Sequence, residues 1–359
     1  RQLRVVVHGD DFTILGDELE LDWFRRAISE RYEVKFRGRI GPSESDDKSI
    51  RILNRVTTWN DDGISYEADQ RHAEIIVKQL GLSNGAKEVN TPGQKLDEAD
   101  PEDEVELTAG DATLYRGLVA RANYMGQDRS DVQYAVKELS RTMSKPTVGS
   151  WKALKRLGRY LIDTTRVIVK FTYQEAVNEI VVWTDSDYAG CRKTRKSTSG
   201  GVTMLGSHMI KSWATTQGVI ALSSGEAEYY GIVKGTSVAL GLRNMLDDLG
   251  MKVRIRVKTD ASAAKGIASR RGAGKVRHIE VSQLWVQDKV AAGEVVLQKV
   301  GTHDNIADAL TKNVGADILY KHMQSTCQQI GTGRHEIMPE IAKQEKEVTR
   351  DDDDDEGYD

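Results

Sequence analysis

The chain has 359 residues, a length typical of two or three domains, and its 39% hydrophobic and 30% charged residues fit a folded globular protein. No run approaches the roughly eighteen apolar residues of a membrane span, so no membrane partner is expected. The formal net charge is −4, but residues 351–359 carry seven acids and no base, so the rest of the chain is mildly basic.

The first predicted element is a β-hairpin over residues 1–16, with Asp10 and Asp11 at its turn and Gly9 permitting the turn geometry. Adjacent carboxylates at a hairpin tip can hold a divalent cation. Most such pairs are simply turns, so the pair is weak support for a site by itself.

The rest of the first half is predicted to be mainly helical. We predict an amphipathic helix over 19–32, a second hairpin over 50–66, a helix over 68–82, an acidic linker over 84–110 and helices throughout 112–165.

The second half alternates strands and helices. We predict strands over 179–184, 200–206, 208–215, 253–259 and 294–300, and helices over 222–250, 261–268, 279–292 and 305–312. Beyond about residue 325 the pattern fades, and the acidic end is expected to be disordered.

Four acids fall on these regular elements. Asp185 ends the first strand, Glu228 lies in the second turn of the long helix, Asp260 ends the fourth strand and Asp308 lies in the last helix. Four converging carboxylates cannot all stay ionised without cations. Two divalent ions about 3.5–4 Å apart would satisfy them and would suit in-line attack of water on a phosphodiester.

Short segments carry a family resemblance: TDSDYAG at 184–190, RKSTSG at 195–200, SSGEAEY at 223–229, TD at 259–260, KVRHI at 275–279 and NIADALTK at 305–312. In this order they resemble the ribonuclease H domain of copia-type LTR retrotransposons. Residues 1–90 resemble the end of a reverse transcriptase palm, with Asp10 and Asp11 as its catalytic pair. Residues 115–163 resemble the segment that joins polymerase and ribonuclease H.

The resemblance implies an α/β fold, in which a ribonuclease H-like domain with a mixed five-stranded sheet and flanking helices follows a partial palm and a helical connection. The implied divisions are 1–90 for the palm and thumb-like remnant, 91–111 for the acidic linker, 112–175 for the connection, 176–318 for the ribonuclease H-like domain and 319–359 for the tail.

The implied activity is cleavage of the RNA strand of an RNA–DNA hybrid with two Mg²⁺ ions, Mn²⁺ being an alternative. Asp185, Glu228, Asp260 and Asp308 match the metal-binding carboxylates. His303 matches a histidine that assists product release or proton transfer, and a plain loop histidine is the alternative.

Two acids compete for the role on the long helix, because Glu226 and Glu228 point about 200° apart. Glu226 has a structural explanation, since Ser223 and Glu226 form a capping box. We therefore favour Glu228. We expect His278 to be structural.

The polymerase resemblance is incomplete. His8 and Gly9 stand where the palm motif has an aromatic residue and a Val or Met, and the strand with the third carboxylate would lie upstream of Arg1. The chain lacks an initiating Met and resembles a piece of a longer protein. We expect that this chain does not polymerise by itself and that it needs the missing N-terminal part of the reverse transcriptase as a partner.

Clusters of Lys and Arg residues are expected to contact the nucleic acid backbone, and solvated surface charge is the alternative for each cluster. The candidates are Arg192, Lys193, Arg195 and Lys196, and Arg270, Arg271 and Lys275.

Two other functional classes compete with the nuclease. One is a degenerate, non-catalytic nucleic-acid-binding remnant. The other, an integrase-type relative, is disfavoured because the second acid falls on the helix directly after the third strand. Two cysteines, too few for a disulfide framework, favour an intracellular setting, either cytoplasmic in a virus-like particle or nuclear.

Overall fold

Two five-stranded sheets with packed helices organise the chain in the computed structural model, which describes residues 2–83, 85–94, 100–274 and 276–341. A separate hairpin of β1 (Arg4–His8) and β2 (Asp11–Leu15) precedes them, followed by helix α1 (Glu18–Ser29). The side chains of this hairpin are largely exposed. No helix among these residues is both long and apolar enough to span a membrane.

The first large sheet is antiparallel and draws its strands from distant parts of the sequence. In spatial order it contains β12 (Gln328–Ile330), β6 (Val167–Thr172), β5 (Gly63–Glu67), β4 (Arg55–Asn60) and β3 (Ser49–Ile52). The predicted hairpin closed at Asn60 and Gly63 is therefore present as β4 and β5.

Four helices build the core of this unit. They are α2 (Arg71–Gln79), α3 (Ala109–Met125), α4 (Gln133–Ser140) and α5 (Val148–Asp163). Tyr115, Leu118, Leu154 and Leu157 are fully buried where they meet. Burial of such side chains from several helices is the main favourable contribution to packing here.

The structure corrects several predicted boundaries in this unit. The helices expected throughout 112–165 are interrupted between α3 and α4, where the buried Arg129 and Asp131 form an ion pair at 2.6 Å. The 112–175 connection also contains strand β6. The 1–90 unit is divided, because β1 and β2 form their own sheet while β3–β5 pair onward to β6.

The tail predicted from residue 319 was also placed too early. Helix α9 (Ala316–Ser325) and strand β12 lie there, and β12 pairs with β6. The acidic end, predicted to be disordered, falls in 342–359, outside the described residues.

The second large sheet is mixed. Its order is β11 (Val295–Lys299), β10 (Arg254–Thr259), β7 (Glu179–Ser186), β8 (Thr198–Leu205) and β9 (His208–Thr216). β7 is parallel to β10 and antiparallel to β8. Helices α6 (Ser224–Asp248), α7 (Ser262–Ala268) and α8 (Trp285–Ala291) flank it. The predicted mixed five-stranded sheet with flanking helices is thus confirmed.

Helix α6 lies unusually close to β7. Gly235 is the reason, since a Cβ there would stand 2.6 Å from the Thr184 side chain. Gly231 is one turn earlier on the same face, and a Cβ there would meet the Asp185 carbonyl at 3.5 Å. Because Glu228 precedes Gly231 by three residues, it shares this face and reaches the end of β7.

Candidate active site

Three acids meet at one edge of the mixed sheet. Asp185 is the penultimate residue of β7, Asp260 follows β10 directly, and Glu228 projects from α6. Because β7 and β10 are parallel neighbours, their carboxyl ends lie at the same edge. One carboxylate oxygen from each acid lies within 4.8 Å of the other two. We call these three residues the carboxylate triad.

Burial makes the carboxylate triad electrostatically unusual. Asp185 is 6% exposed and Glu228 9% exposed. Burial, followed by the nearby charges of Asp185 and Asp260, raises the pKa of Glu228 to about 9. Burial raises the pKa of Asp185 to about 6, although a hydrogen bond from Thr311 opposes the rise. The acids therefore resist ionisation together unless a positive charge is supplied.

The backbone and a neighbouring hydroxyl fix two of these carboxylates. The Ser186 N–H donates to Glu228 Oε1 at 3.2 Å, and the Thr311 hydroxyl donates to Asp185 Oδ2. Glu228 Oε2 is buried and has no hydrogen-bond partner among the described residues. One oxygen of Glu228 is thus held in place while the other is left for a ligand.

Asp308 lies beside the carboxylate triad rather than within it. The helix predicted over 305–312 is instead a single 3₁₀ turn, Asp308–Leu310. The Asp308 carboxylate forms an ion pair with Lys312 at 2.9 Å. It is near enough for its charge to contribute to the raised pKa values of Asp185 and Glu228.

Asn305 anchors this turn, and the sequence pattern alone did not assign it a role. Its side-chain amide donates to the Thr184 carbonyl at 3.0 Å, and its oxygen accepts from the Ala307 N–H at 3.2 Å. Thr311 was missed in the same way. Both belong to the NIADALTK segment, so the motif contained the signal although only its Asp was singled out.

Glu226 points away from the triad and is engaged in structural contacts. Its carboxylate accepts from the Leu222 N–H at 2.9 Å and the Tyr230 hydroxyl at 2.9 Å, and His278 Nε2 lies 2.6 Å from it. The Ser223 hydroxyl accepts from the Glu226 N–H, which is one half of the predicted capping box, whereas the Glu226 carboxylate bonds the Leu222 N–H instead of the Ser223 N–H. The structure therefore places Glu228, not Glu226, beside Asp185 and Asp260.

Asp187, which follows the last residue of β7, is also engaged structurally. Its carboxylate accepts a hydrogen bond from the Thr198 N–H at the start of β8. Asp187 therefore closes the loop between β7 and β8 instead of joining the triad.

Other predicted residues lie apart from the triad. His303 is exposed in the turn Thr302–Asp304, and its backbone carbonyl accepts from Lys321 Nζ at 2.6 Å. Asp10 and Asp11 lie at the tip of the exposed hairpin, where Asp11 is 3.4 Å from Arg37. Among the described residues, none of the three joins a group of three metal-competent side chains.

The first basic cluster lies on the loop between β7 and β8, close after Asp185 in sequence. Arg192, Lys193 and Arg195 are exposed and Lys196 is partly buried. Lys193 is paired with Glu104 at 2.9 Å. Arg192 and Arg195 therefore have the greater freedom to contact a ligand.

The second basic cluster is only partly described. Arg270 is partly buried and donates to the Ala273 carbonyl at 2.5 Å, whereas Arg271 is exposed. Lys275 lies outside the described residues.

Solved ribonuclease H structures resemble part of the chain. The N-terminal ribonuclease H domain of a Mycobacterium tuberculosis protein, solved as a fusion with maltose-binding protein, is 21% identical. It covers 41% of this chain and 98% of that chain, with a TM-score of 0.29. A ribonuclease H1 isolated from compost by a metagenomic approach is 18% identical, covering 41% of this chain and 99% of that chain with a TM-score of 0.28.

Sequence relatives cover far more of the chain, although no protein-family model matches it. The retrovirus-related Pol polyproteins of transposons RE1 and RE2 from Arabidopsis thaliana are 30% and 31% identical, and that of TNT 1-94 from Nicotiana tabacum is 28% identical. Each match covers 86% of this chain but only 20%, 20% and 23% of the respective relative. The chain spans about a fifth of the length of these relatives, which are Pol polyproteins of copia-type transposons.

Proposed function

We propose that this chain is an endonuclease that hydrolyses the RNA strand of RNA–DNA hybrids, acting as the ribonuclease H part of a retrotransposon Pol polyprotein. The observation that carries the proposal is the carboxylate triad of Asp185, Glu228 and Asp260 at the joined ends of two parallel strands. Buried acids with strongly raised pKa values concentrate at functional sites.

The donor set fits divalent cations. Mg²⁺ prefers oxygen ligands, and Mn²⁺ accepts the same ones. Glu228 Oε2 is buried without a partner among the described residues, which is costly unless a ligand satisfies it. Asp185, Glu228 and Asp260 would hold the ions, with Asp308 as a fourth ligand. When bound, a pair of divalent ions would activate water and neutralise charge on the cleaved phosphodiester.

The protein's own contribution is to fix the positions of these acidic side chains through hydrogen bonds. The Ser186 N–H fixes Glu228, the Thr311 hydroxyl fixes Asp185, and Asn305 ties the turn carrying Asp308 to β7. Groups held in place beforehand need no reorganisation during the reaction, which is a large part of electrostatic catalysis.

Arg192 and Arg195 are suited to hold the substrate. Their loop leaves the same end of β7 that delivers Asp185, and both side chains are exposed. Contacts to phosphates fix the position of a nucleic acid without reading its sequence. We infer that this loop grips the hybrid backbone.

The second candidate function is a non-catalytic nucleic-acid-binding remnant of the same element. One observation favours it, namely that Asp308 pairs with Lys312 instead of joining the carboxylate triad.

We infer in addition that the chain does not polymerise on its own. Asp10 and Asp11 lie on an exposed hairpin, and no third metal-competent side chain accompanies them among the described residues.

A cleavage assay separates the nuclease from the remnant. The full chain is incubated with a labelled RNA–DNA hybrid, the matching RNA duplex and the matching DNA duplex, with Mg²⁺ or with EDTA. We expect cleavage of the hybrid's RNA strand alone, and only with Mg²⁺. Binding of the hybrid without cleavage at any Mg²⁺ or Mn²⁺ concentration would favour the remnant.

A further inference from the structure

Lys312 pairs with the fourth acid and lies close enough to the carboxylate triad for Asp185 and Asp260 to affect its pKa. Its Nζ lies 2.9 Å from Asp308 Oδ2, and Asp308 is only 15% exposed at its side chain. Lys312 follows Thr311, whose hydroxyl is bonded to Asp185. The chain therefore places an ammonium at the rim of the site that Asp308 would complete.

The position of this ammonium is electrostatically favourable. Burial tends to lower the pKa of Lys312, but the nearby carboxylates of Asp308, Asp185 and Asp260 raise it above the ordinary value. The charge of Lys312 is thus stabilised by Asp308 together with two members of the triad, although among the described residues only Asp308 forms an ion pair with it at contact distance.

The Lys312 side chain is also able to dissociate from Asp308. It remains 51% exposed, so its head can turn into water while its stem stays on the surface. Replacing it at Asp308 by another cation would break one partly exposed ion pair, which is among the weaker interactions in a protein.

We propose that Lys312 is a built-in counter-ion for Asp308 that competes with a divalent cation for this carboxylate. The inference rests on the proposed function and deepens it, because it concerns how the same site is loaded. Two ions should bind unequally: one tightly at Asp185, Glu228 and Asp260, and one weakly where Asp308 must first release Lys312.

Direct counting of bound Mn²⁺ in the full chain, without nucleic acid and at a fixed neutral pH, tests this. Free Mn²⁺ is measured by electron paramagnetic resonance for the wild type, Lys312→Met and Lys312→Arg. Met keeps the apolar stem without the charge, and Arg keeps the charge. Lys321→Met is the matched control, because Lys321 is 56% exposed and contacts the neighbouring turn at His303 instead of Asp308.

We expect two ions in the wild type, with the weaker one bound about fivefold more tightly in Lys312→Met, the upper range for a partly exposed ion pair. The affinity of the tighter ion in Lys312→Met should stay within about twofold of the wild type. Both Mn²⁺ affinities in Lys312→Arg and in Lys321→Met should also stay within about twofold of the wild type. The proposal would be overturned if the affinity of the weaker Mn²⁺ were unchanged in Lys312→Met, or if it rose equally in Lys321→Met.

Failure of the counter-ion role can be distinguished from failure of the proposed nuclease function. If Lys312→Met leaves both Mn²⁺ affinities unchanged while the wild type still cleaves the hybrid, only the counter-ion role is wrong. If the wild type binds no Mn²⁺ at all, the metal basis of the proposed function fails, and the counter-ion role fails with it.

Discussion

Replacing Glu228 with Gln should stabilise the metal-free protein and do so more strongly at higher pH. Glu228 is 9% exposed and lies within 4.8 Å of Asp185 and Asp260, so its ionisation without a cation is unfavourable. Glutamine is nearly the same size and keeps an oxygen that can accept from the Ser186 N–H. It carries no charge at any pH.

The magnitude follows from the raised pKa. Glu228 has a pKa of about 9 in the folded protein against an ordinary value of 4.5. Between these values the folded state retains a proton that the unfolded state has lost. The stability present at low pH is therefore lost as pH rises towards 9, by up to about 1.4 kcal/mol per pH unit. At pH 7 the accumulated loss is at most about 3.4 kcal/mol, and Glu228→Gln avoids it.

Denaturant unfolding in EDTA between pH 5 and pH 8 measures this effect. The stability difference between Glu228→Gln and the wild type should be under about 1 kcal/mol at pH 5 and should grow with pH. Glu226→Gln is the control on the same helix, and it should gain no stability because its carboxylate already bonds the Leu222 N–H, Tyr230 and His278. A difference that stays constant across this pH range would refute the reasoning.

Three further outcomes are expected. Asp260→Asn should reduce hybrid cleavage to background while leaving the melting temperature nearly unchanged, since Asp260 is a partly buried member of the carboxylate triad at the site's edge; retained cleavage would remove it from the proposed site. Replacing Arg192 and Arg195 with Ala should lower the salt slope of hybrid binding by about 0.9 for each phosphate that the loop no longer neutralises; an unchanged slope would place the loop away from the nucleic acid. Asn305→Ala should destabilise the protein by about 1–3 kcal/mol because it leaves the Thr184 carbonyl unsatisfied; it should also lower cleavage, and unchanged unfolding would show that the turn is held by other contacts.

Local patterns predicted the part of the fold that carries the site. The apolar run before Asp185 predicted β7, and Ser223 as N-cap placed the start of α6. Glu226 has the expected structural role, although its carboxylate bonds the Leu222 N–H instead of the Ser223 N–H of a full capping box. That choice left Glu228 for the triad. Periodicity and capping are local properties, so they can be read from the sequence.

What the sequence did not reveal depends on contacts between distant residues. Strand β12 has three residues and is recognisable only through its pairing with β6, which lies far away in the sequence. The 305–312 segment was predicted as a helix, but Asn305 bonds Thr184 across the sheet edge and only one 3₁₀ turn forms. Tertiary contacts override weak local preference in both cases.

The position of Asp308 outside the triad also lay beyond prediction. The spacing of Asp308 and Lys312 is compatible with an ion pair in a helix, and the sequence alone does not show whether Asp308 faces Lys312 or the other acids. The structure resolves this with the 2.9 Å contact.

The most direct test of the carboxylate triad as the reaction centre compares Glu228→Gln with Glu226→Gln in Mg²⁺-dependent cleavage of a labelled RNA–DNA hybrid. The two variants remove the same charge from positions two residues apart on one helix. We predict loss of cleavage in Glu228→Gln with the hybrid still bound, and substantial cleavage in Glu226→Gln. Equal activity in the two variants, with both proteins folded, would contradict the account.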